Sequence, residues 1–301
     1  MPASRPPALQ GRVFRGRDAV AAGLLTRRQL TSRAWRRVLR GVYADADLPD
    51  THAVAIAAAV LIAPQSAVVS GRSAAFLLGA ESVVDAGTPV ELTVPEDDRF
   101  GPVAGLRIRR AVLPASAVRT VGRQRCTTPV RTAVDIARDE DVPASVVALD
   151  VLLGRGLVHP ADLAAAIAAL PTGRGCRRAR RAVALADGRA ESPPESVLRV
   201  LLRLAGLAPV PQFVVRDPDG RFLARVDLAF PAQRVAVEYD GAWHGRPGQL
   251  ARDRRRLNAL VTAGWRVVHV TAADMHRPEQ ILGTIRSALG ERGVRHLPEP
   301  A

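Results

Sequence analysis

The chain has 301 residues, 48% hydrophobic and 24% charged, which excludes a mainly disordered polymer and at this length predicts two or three domains rather than one core. Forty-three basic residues against 29 acidic ones leave a net charge of +14, a balance that gathers polyanions, nucleic acid foremost. Cys126 and Cys176 stand in unrelated contexts, which excludes a disulfide framework or a cysteine-based zinc site; with no stretch near the roughly 18 apolar residues of a membrane span and no signal-peptide core, a soluble cytoplasmic protein is expected.

The first forty residues carry ten arginines against one acid, Asp18. The pattern DAVAAGLLTRRQLTSRAWRRVLRGVYA predicts a helix, a turn at Gly23, a second short helix capped by Thr26, and a third from Thr31 or Ser32 to Arg40. Gly41 stops the third, and GVYA opens a strand. Three short helices and a strand is the order of a winged helix-turn-helix over residues 1–48, with Arg33, Arg36, Arg37 and Arg40 on the recognition helix facing DNA. A small basic interaction domain is the alternative. This stretch resembles the N-terminal domain of abortive-infection type IV antitoxins and related actinobacterial regulators.

Residues 49–185 predict an α+β middle domain: helices near 51–63 and at SGRSAAFLLGA, strands at PVELTVP and LRIRRAV, a capped helix at TTPVRTAVDIAR, and helices near 143–155 and 160–170. Its element order and TTPVRTAVDIAR resemble the core of the same antitoxin-like proteins, a resemblance that implies a toxin or defence-system partner. Arg131 and Asp135, four apart, read as a helix-surface pair, and His52 and His159 as solvent or cap residues. Five arginines between 174 and 181 form either a solvated helix face or a phosphate-tracking stripe.

From 190 to 291 the pattern runs helix (SPPESVLRVLLRLAG), strand (PQFVVRD), strand (RFLARVDLAFP), strand (RVAVEYD), helix (GQLARDRRRLNALVTAG), strand (WRVVHVTA) and a closing helix. That is the order of a restriction-endonuclease-like core, a mixed sheet with helices on both faces, so the chain as a whole reads as a multi-domain α/β protein. RVDLAF with Asp227, VAVEYDGAWHG with Glu238, Asp240 and His244, and ARDRRRLNALVTAGWRVVHVT resemble the very-short-patch-repair endonuclease superfamily, closest to an uncharacterised bacterial branch. The resemblance covers about a hundred C-terminal residues.

Asp227 and Glu238 fall on neighbouring antiparallel strands, and Asp240, two further on, shares a face with Glu238. Crowded carboxylates are hard to ionise unless a cation sits among them, and magnesium (or manganese) is the hard ion for oxygen donors. The expected chemistry is therefore metal-dependent cleavage of a DNA phosphodiester. The resemblance implies Asp227 and Glu238 as metal ligands and His244 as general base or hydrogen-bond donor. Glu195 carries two readings: the third member of a capping box begun by Ser192 and Pro193, or a metal-proximal glutamate of the family.

Arg252, Arg254, Arg255 and Arg256 around Asp253 suggest a phosphate clamp or, for part of the set, a solvated helix face. Arg225 is expected to touch the scissile phosphate or pair with Asp240. The chain departs from the family in one respect: where many relatives carry a lysine two residues beyond the second carboxylate it has Asp240, and there is no lysine anywhere. A regulator of antitoxin type with a catalytically inactive nuclease-like domain is the alternative this leaves open.

Overall fold

Where a third helix is expected near the N-terminus, the chain instead makes a hairpin. In the computed structural model, which describes residues 5–241 and 249–290, with side chains at 249–253 excepted, β1 (Val13–Arg15) leads into α1 (Gly16–Ala21), and β2 (Trp35–Leu39) turns back on β3 (Val42–Asp45). The three strands form an antiparallel sheet in the order β1-β3-β2. Thr26 and Gln29 exchange bonds at the second expected helix, but only a single turn, Gln29–Thr31, follows.

The third helix is thus corrected to a strand, and the physical reason is long-range. Gly41 at φ 77° closes a tight turn that returns Val42–Asp45 alongside Trp35–Leu39, and Trp35 packs edge-on against Phe14 at 5.1 Å in a core with Leu9, Leu25 and Leu30. Arginine is tolerated in a strand, where neighbours such as Arg36 and Arg37 take opposite faces, as it is in a helix, and tertiary pairing decides. Arg36 lies against the Leu48 carbonyl at 3.0 Å and Asp50 at 3.5 Å, whereas Arg33, Arg37 and Arg40 reach toward solvent.

The chain then forms α2 (His52–Ile62), β4 (Val68–Val69), α3 (Gly71–Leu77), β5 (Val90–Val94), β6 (Leu106–Arg110), β7 (Val118–Val121), β8 (Gln124–Thr127) and α4 (Pro129–Asp139). The sheet order β6-β5-β4-β8-β7 mixes parallel and antiparallel pairs. Ile56, Val69, Ala74, Leu92 and Cys126 form a core there. The helices and the β5 and β6 strands stand where the sequence places them; β4 and the β7–β8 hairpin are additions that the sequence pattern does not announce.

Several polar residues are buried more deeply than the sequence suggests. Asp135, expected on a helix surface, is 0% exposed, held by Arg131 at 2.9 Å and Arg109 at 3.2 Å. Burial pushes its carboxyl up, against the pull of the two guanidiniums. His52 is partly buried with Nε2 2.8 Å from the Ser73 hydroxyl, and burial lowers its pKa. His159 does cap a helix, accepting the Ala161 amide at 3.3 Å.

Two compact units divide the chain: residues 1–140 with 155–180, and 141–154 with 181–301. In sequence order α5 (Val142–Gly154) belongs to the second unit, α6 (Pro160–Ala168) to the first, and α7 (Cys176–Leu185) spans the last crossing. The arginines of α7 at 177, 178 and 181 are exposed, with Cys176, Ala179 and Ala182 buried. The region expected over 49–185 as one domain thus gives α5 to the C-terminal unit.

That unit comprises α8 (Pro193–Leu204), β9 (Val210–Arg216), β10 (Phe222–Phe230), β11 (Val235–Asp240), α9 (Gln249–Thr262), β12 (Arg266–Thr271) and α10 (Pro278–Leu289). The sheet runs β12-β11-β10-β9, antiparallel except for the parallel pair β11–β12 on either side of α9. One face packs on Leu198, Leu202, Ile281 and Ile285 of α8 and α10, the other on Leu260 of α9. Arg199 of α8 clasps α5 through Asp150 at 2.6 Å, both almost wholly buried at 4% and 1% exposure. Among the described residues no helix is long and apolar enough to cross a membrane.

Candidate active site

The site is built on an irregularity in the central strand. Along β10, Ala224 and Val226 pack in the core on the α9 side, but Leu228 and Phe230 pack in the opposite core, with Ala229 back on the α9 side. Ala224, Val226, Leu228 and Phe230 would share one face of a regular strand, so alternation with period two breaks at Asp227. The β9–β10 register joins Val226 to Phe213 and Leu228 to Pro211, which sets Gln212 opposite Asp227; Gln212 has a left-handed φ of 50°. A non-glycine residue held there stores backbone strain, and such strain collects at functional sites.

On its other side the β10–β11 ladder runs from Phe230↔Val235 to Leu228↔Val237. One step further, the Asp227 carboxylate accepts the Tyr239 amide at 2.9 Å. A side chain thus occupies a place in the ladder that a backbone carbonyl would fill. The expected meeting of Asp227 and Glu238 follows, since Glu238 is the next residue of β11.

Ala236 lies on the α9 side and alternation carries Glu238 and Asp240 to the same face. Glu238 is 8% exposed, and its Oε1 accepts a hydrogen bond from Arg256 of α9. The same guanidinium nitrogen donates to the Arg225 carbonyl at 2.7 Å. Asp240 takes a different partner, meeting His269 Nδ1 at 3.0 Å. In the parallel β11–β12 register His269 stands beside Glu238. The segment WRVVHVT gives no sign of this role for His269, because only the register of two strands separated by α9 brings it to the acids.

Glu195 makes the expected cap. Its Oε1 accepts the Ser192 hydroxyl at 2.7 Å, its Oε2 accepts the Glu191 amide at 3.1 Å, and Ser192 Oγ in turn accepts the Glu195 amide at 3.4 Å. Gln212 Nε2 donates to the same Oε2 at 2.9 Å. Both oxygens are engaged, and Glu195 stands beside Asp227 as a neighbouring negative charge. Arg225, expected to touch the scissile phosphate or pair with Asp240, pairs with Glu191 at 2.7 Å, while Asp240 meets His269 on β12.

Burial pushes the Asp227 carboxyl up, opposed by the Tyr239 amide and reinforced by the charge of Glu195. Burial likewise raises Glu238, with Arg256 pulling it down and Asp227 pushing it up. Both carboxyls are raised first of all by burial, and the Arg256 guanidinium offsets only part of that. Among the described residues no group of three histidine, cysteine, aspartate or glutamate side chains is poised around one point. Magnesium, however, is commonly held by one or two carboxylates, with water and substrate phosphate completing its shell. The under-compensated pair Asp227 and Glu238 fits such an ion.

Gln212, Phe222, Arg225, Asp227 and Arg256 line an open groove of about 550 Å³. Arg254 and Arg255 are exposed on α9. Of the expected clamp, Arg256 is the described member that lines the groove. His244 and the side chain of Arg252 lie outside the described residues, as does that of Asp253.

No family model matches the chain, and no solved structure does. The chain is similar to two proteins of Mycobacterium tuberculosis, Uncharacterized protein Rv2248 and, from a second strain, Uncharacterized protein MT2308: each is 32% identical over 202 residues, covering 66% of this chain and 70% of the relative. On that identity and coverage, the chain belongs to the same family as these uncharacterised mycobacterial proteins.

Proposed function

We propose that the C-terminal unit is a metal-dependent phosphodiesterase acting on DNA, with Asp227 and Glu238 as ligands of magnesium or manganese. The observation that carries this reading is a pair of carboxylates with raised pKa values, Glu238 buried and Asp227 half-buried, on adjacent strands beside an arginine-lined groove. When bound, the ion would lower the pKa of a water and offset charge growing on a phosphate oxygen.

The chain's own side chains divide the remaining work. Arg225 and Arg256 supply guanidinium forks for phosphate oxygens, a task arginine performs without lysine. The Tyr239 amide fixes one oxygen of Asp227. His269, its Nδ1 held by Asp240, keeps Nε2 for taking up a proton beside Glu238. The basic N-terminal hairpin, through Arg33, Arg37 and Arg40, adds sequence-independent affinity for the backbone.

Incubation of the full chain with supercoiled plasmid and Mg²⁺ or Mn²⁺ tests the proposal. Nicking is expected, falling on the order of 100-fold or more in Asp227→Ala. Absence of cleavage on supercoiled, mismatched and flap substrates, or equal cleavage by Asp227→Ala, overturns it. A second reading, an antitoxin-type regulator whose nuclease-like unit serves only to bind DNA or a toxin or defence-system partner, is favoured by one observation: the Glu238 carboxylate is already engaged by Arg256 in a chain without lysine. It predicts DNA affinity indifferent to chelator and no calorimetric signal with Mg²⁺.

A further inference from the structure

A large aromatic ring sits in solvent at the rim of the groove. Phe222 is 62% exposed, yet it lines the same groove as Asp227, Arg225 and Arg256. Its exposure has a structural cause. The β9–β10 register shifts between Phe222 and Ala224, so that Leu223 and Ala224, adjacent in sequence, both pack toward the α9-side core. The ring of Phe222 is left outside.

Charge surrounds it. Arg216 is its cross-strand partner and Arg221, which meets Asp219 at 3.3 Å, precedes it, both exposed. Arg225 and Arg256 line the groove with it. An aromatic face between guanidiniums is the composition of a surface for single-stranded nucleic acid, in which the cations follow the phosphates and the ring stacks on a base. A base inside a continuous duplex has both faces covered by its neighbours and cannot stack on Phe222 without first being freed.

We propose that Phe222 is a base-stacking platform, which makes single-stranded or locally opened DNA the substrate class of the Asp227 groove. The inference rests on the reading of Asp227 as the reacting centre. Phe222 and Asp227 are five positions apart on β10, at most about 17 Å of strand. A nucleic-acid strand covers that in roughly five stacked nucleotides, at about 3.4 Å each, or in fewer when extended. The stacked base would therefore lie within a few nucleotides of the phosphate at Asp227.

Binding in chelating buffer separates this inference from cleavage. The probe is an oligodeoxynucleotide of about 12 nucleotides containing 2-aminopurine, whose fluorescence falls on stacking, with a blunt duplex of the same sequence as comparison. The full chain is used with Phe222→Ala and Phe222→Tyr, both at an exposed position that melting curves should show to be neutral. For the single strand, Phe222→Ala is expected to weaken binding about 10-fold and abolish the quench, Phe222→Tyr to preserve both, and duplex affinity to stay unchanged. Single-strand affinity and quench that survive Phe222→Ala, or equal losses on strand and duplex, overturn the proposal. Plasmid nicking that persists in the first case leaves the phosphodiesterase standing alone; a Phe222-dependent quench without any nicking leaves the stacking surface standing alone.

Discussion

Glu238→Gln should make the protein more stable while disarming it. The wild-type carboxylate has a side chain only 11% exposed, lies beside Asp227, and is compensated mainly by Arg256, itself 37% exposed. Replacing it with an amide forfeits the charged component of the Arg256 bond. A charge-assisted hydrogen bond contributes about 1.5–3 kcal/mol against about 0.5–1.5 for a neutral one, and the exposure of Arg256 reduces that difference. On the other side, the substitution removes the penalty of holding a buried anion next to a second one. The upward direction of the Glu238 pKa says that this penalty is the larger quantity. A net gain of about 1 kcal/mol at pH 8 is expected, within the range typical of neutralised functional sites.

The pH dependence has a definite sign. The folded-state pKa of Glu238 is raised above its ordinary value of 4.5, so between the two values the folded chain binds more protons than the unfolded one. The wild-type contribution is full below 4.5 and is lost as pH climbs through the raised value. Urea unfolding of wild type and Glu238→Gln, followed by tryptophan fluorescence from about pH 4 to about pH 8 with unchanged m values, reads this directly. The curves should coincide at the acid end and diverge in favour of the glutamine variant. A less stable variant at the alkaline end, or a difference independent of pH, would refute the claim that this carboxylate is under-compensated.

Three other perturbations have definite outcomes. Arg199→Ala strips the buried Asp150 of its counter-charge and should cost about 3–5 kcal/mol in denaturant unfolding, with Arg199→Met combined with Asp150→Leu recovering much of the deficit. Gly71→Ala would drive a methyl group into the Glu91 carboxylate from a backbone at φ 54°; a destabilisation of roughly 3 kcal/mol or more, seen as insolubility or early melting, is expected. Arg37→Ala with Arg40→Ala should flatten the dependence of log K for duplex DNA on log salt by about 0.9 for each phosphate no longer neutralised, and an unaltered slope would show that the hairpin does not touch the duplex.

The elements of the C-terminal unit are legible because each is marked locally. Ser192 and Pro193 announce α8, short apolar runs mark β10 and β11, and Gly264 with φ 78° closes α9. Asp227 and Glu238 stand out as acids within such runs. Gln212 and His269 do not, because their roles arise from a left-handed backbone and from cross-strand registers that no short window encodes. The N-terminal segment shows the converse: Arg33, Arg36, Arg37 and Arg40 suit a helix face, and only the return of β3 makes their stretch a strand. The β7–β8 hairpin escapes detection because its strands, VRTV and QRCT, are short and polar with no apolar run.

The clasp between Asp150 and Arg199 bears on how this protein can be taken apart. The chain crosses between its two units three times, so the C-terminal half is not a contiguous cassette. A fragment cut at residue 190, where the sequence pattern invites the scissors, would leave α5 behind and strand a guanidinium in the interior. Recombination that shuffles this half between proteins would have to carry residues 141–154 along or replace both Arg199 and the surface it seals. The C-terminal half is therefore completed by one helix, held through one ion pair, that is encoded between two stretches of the other half.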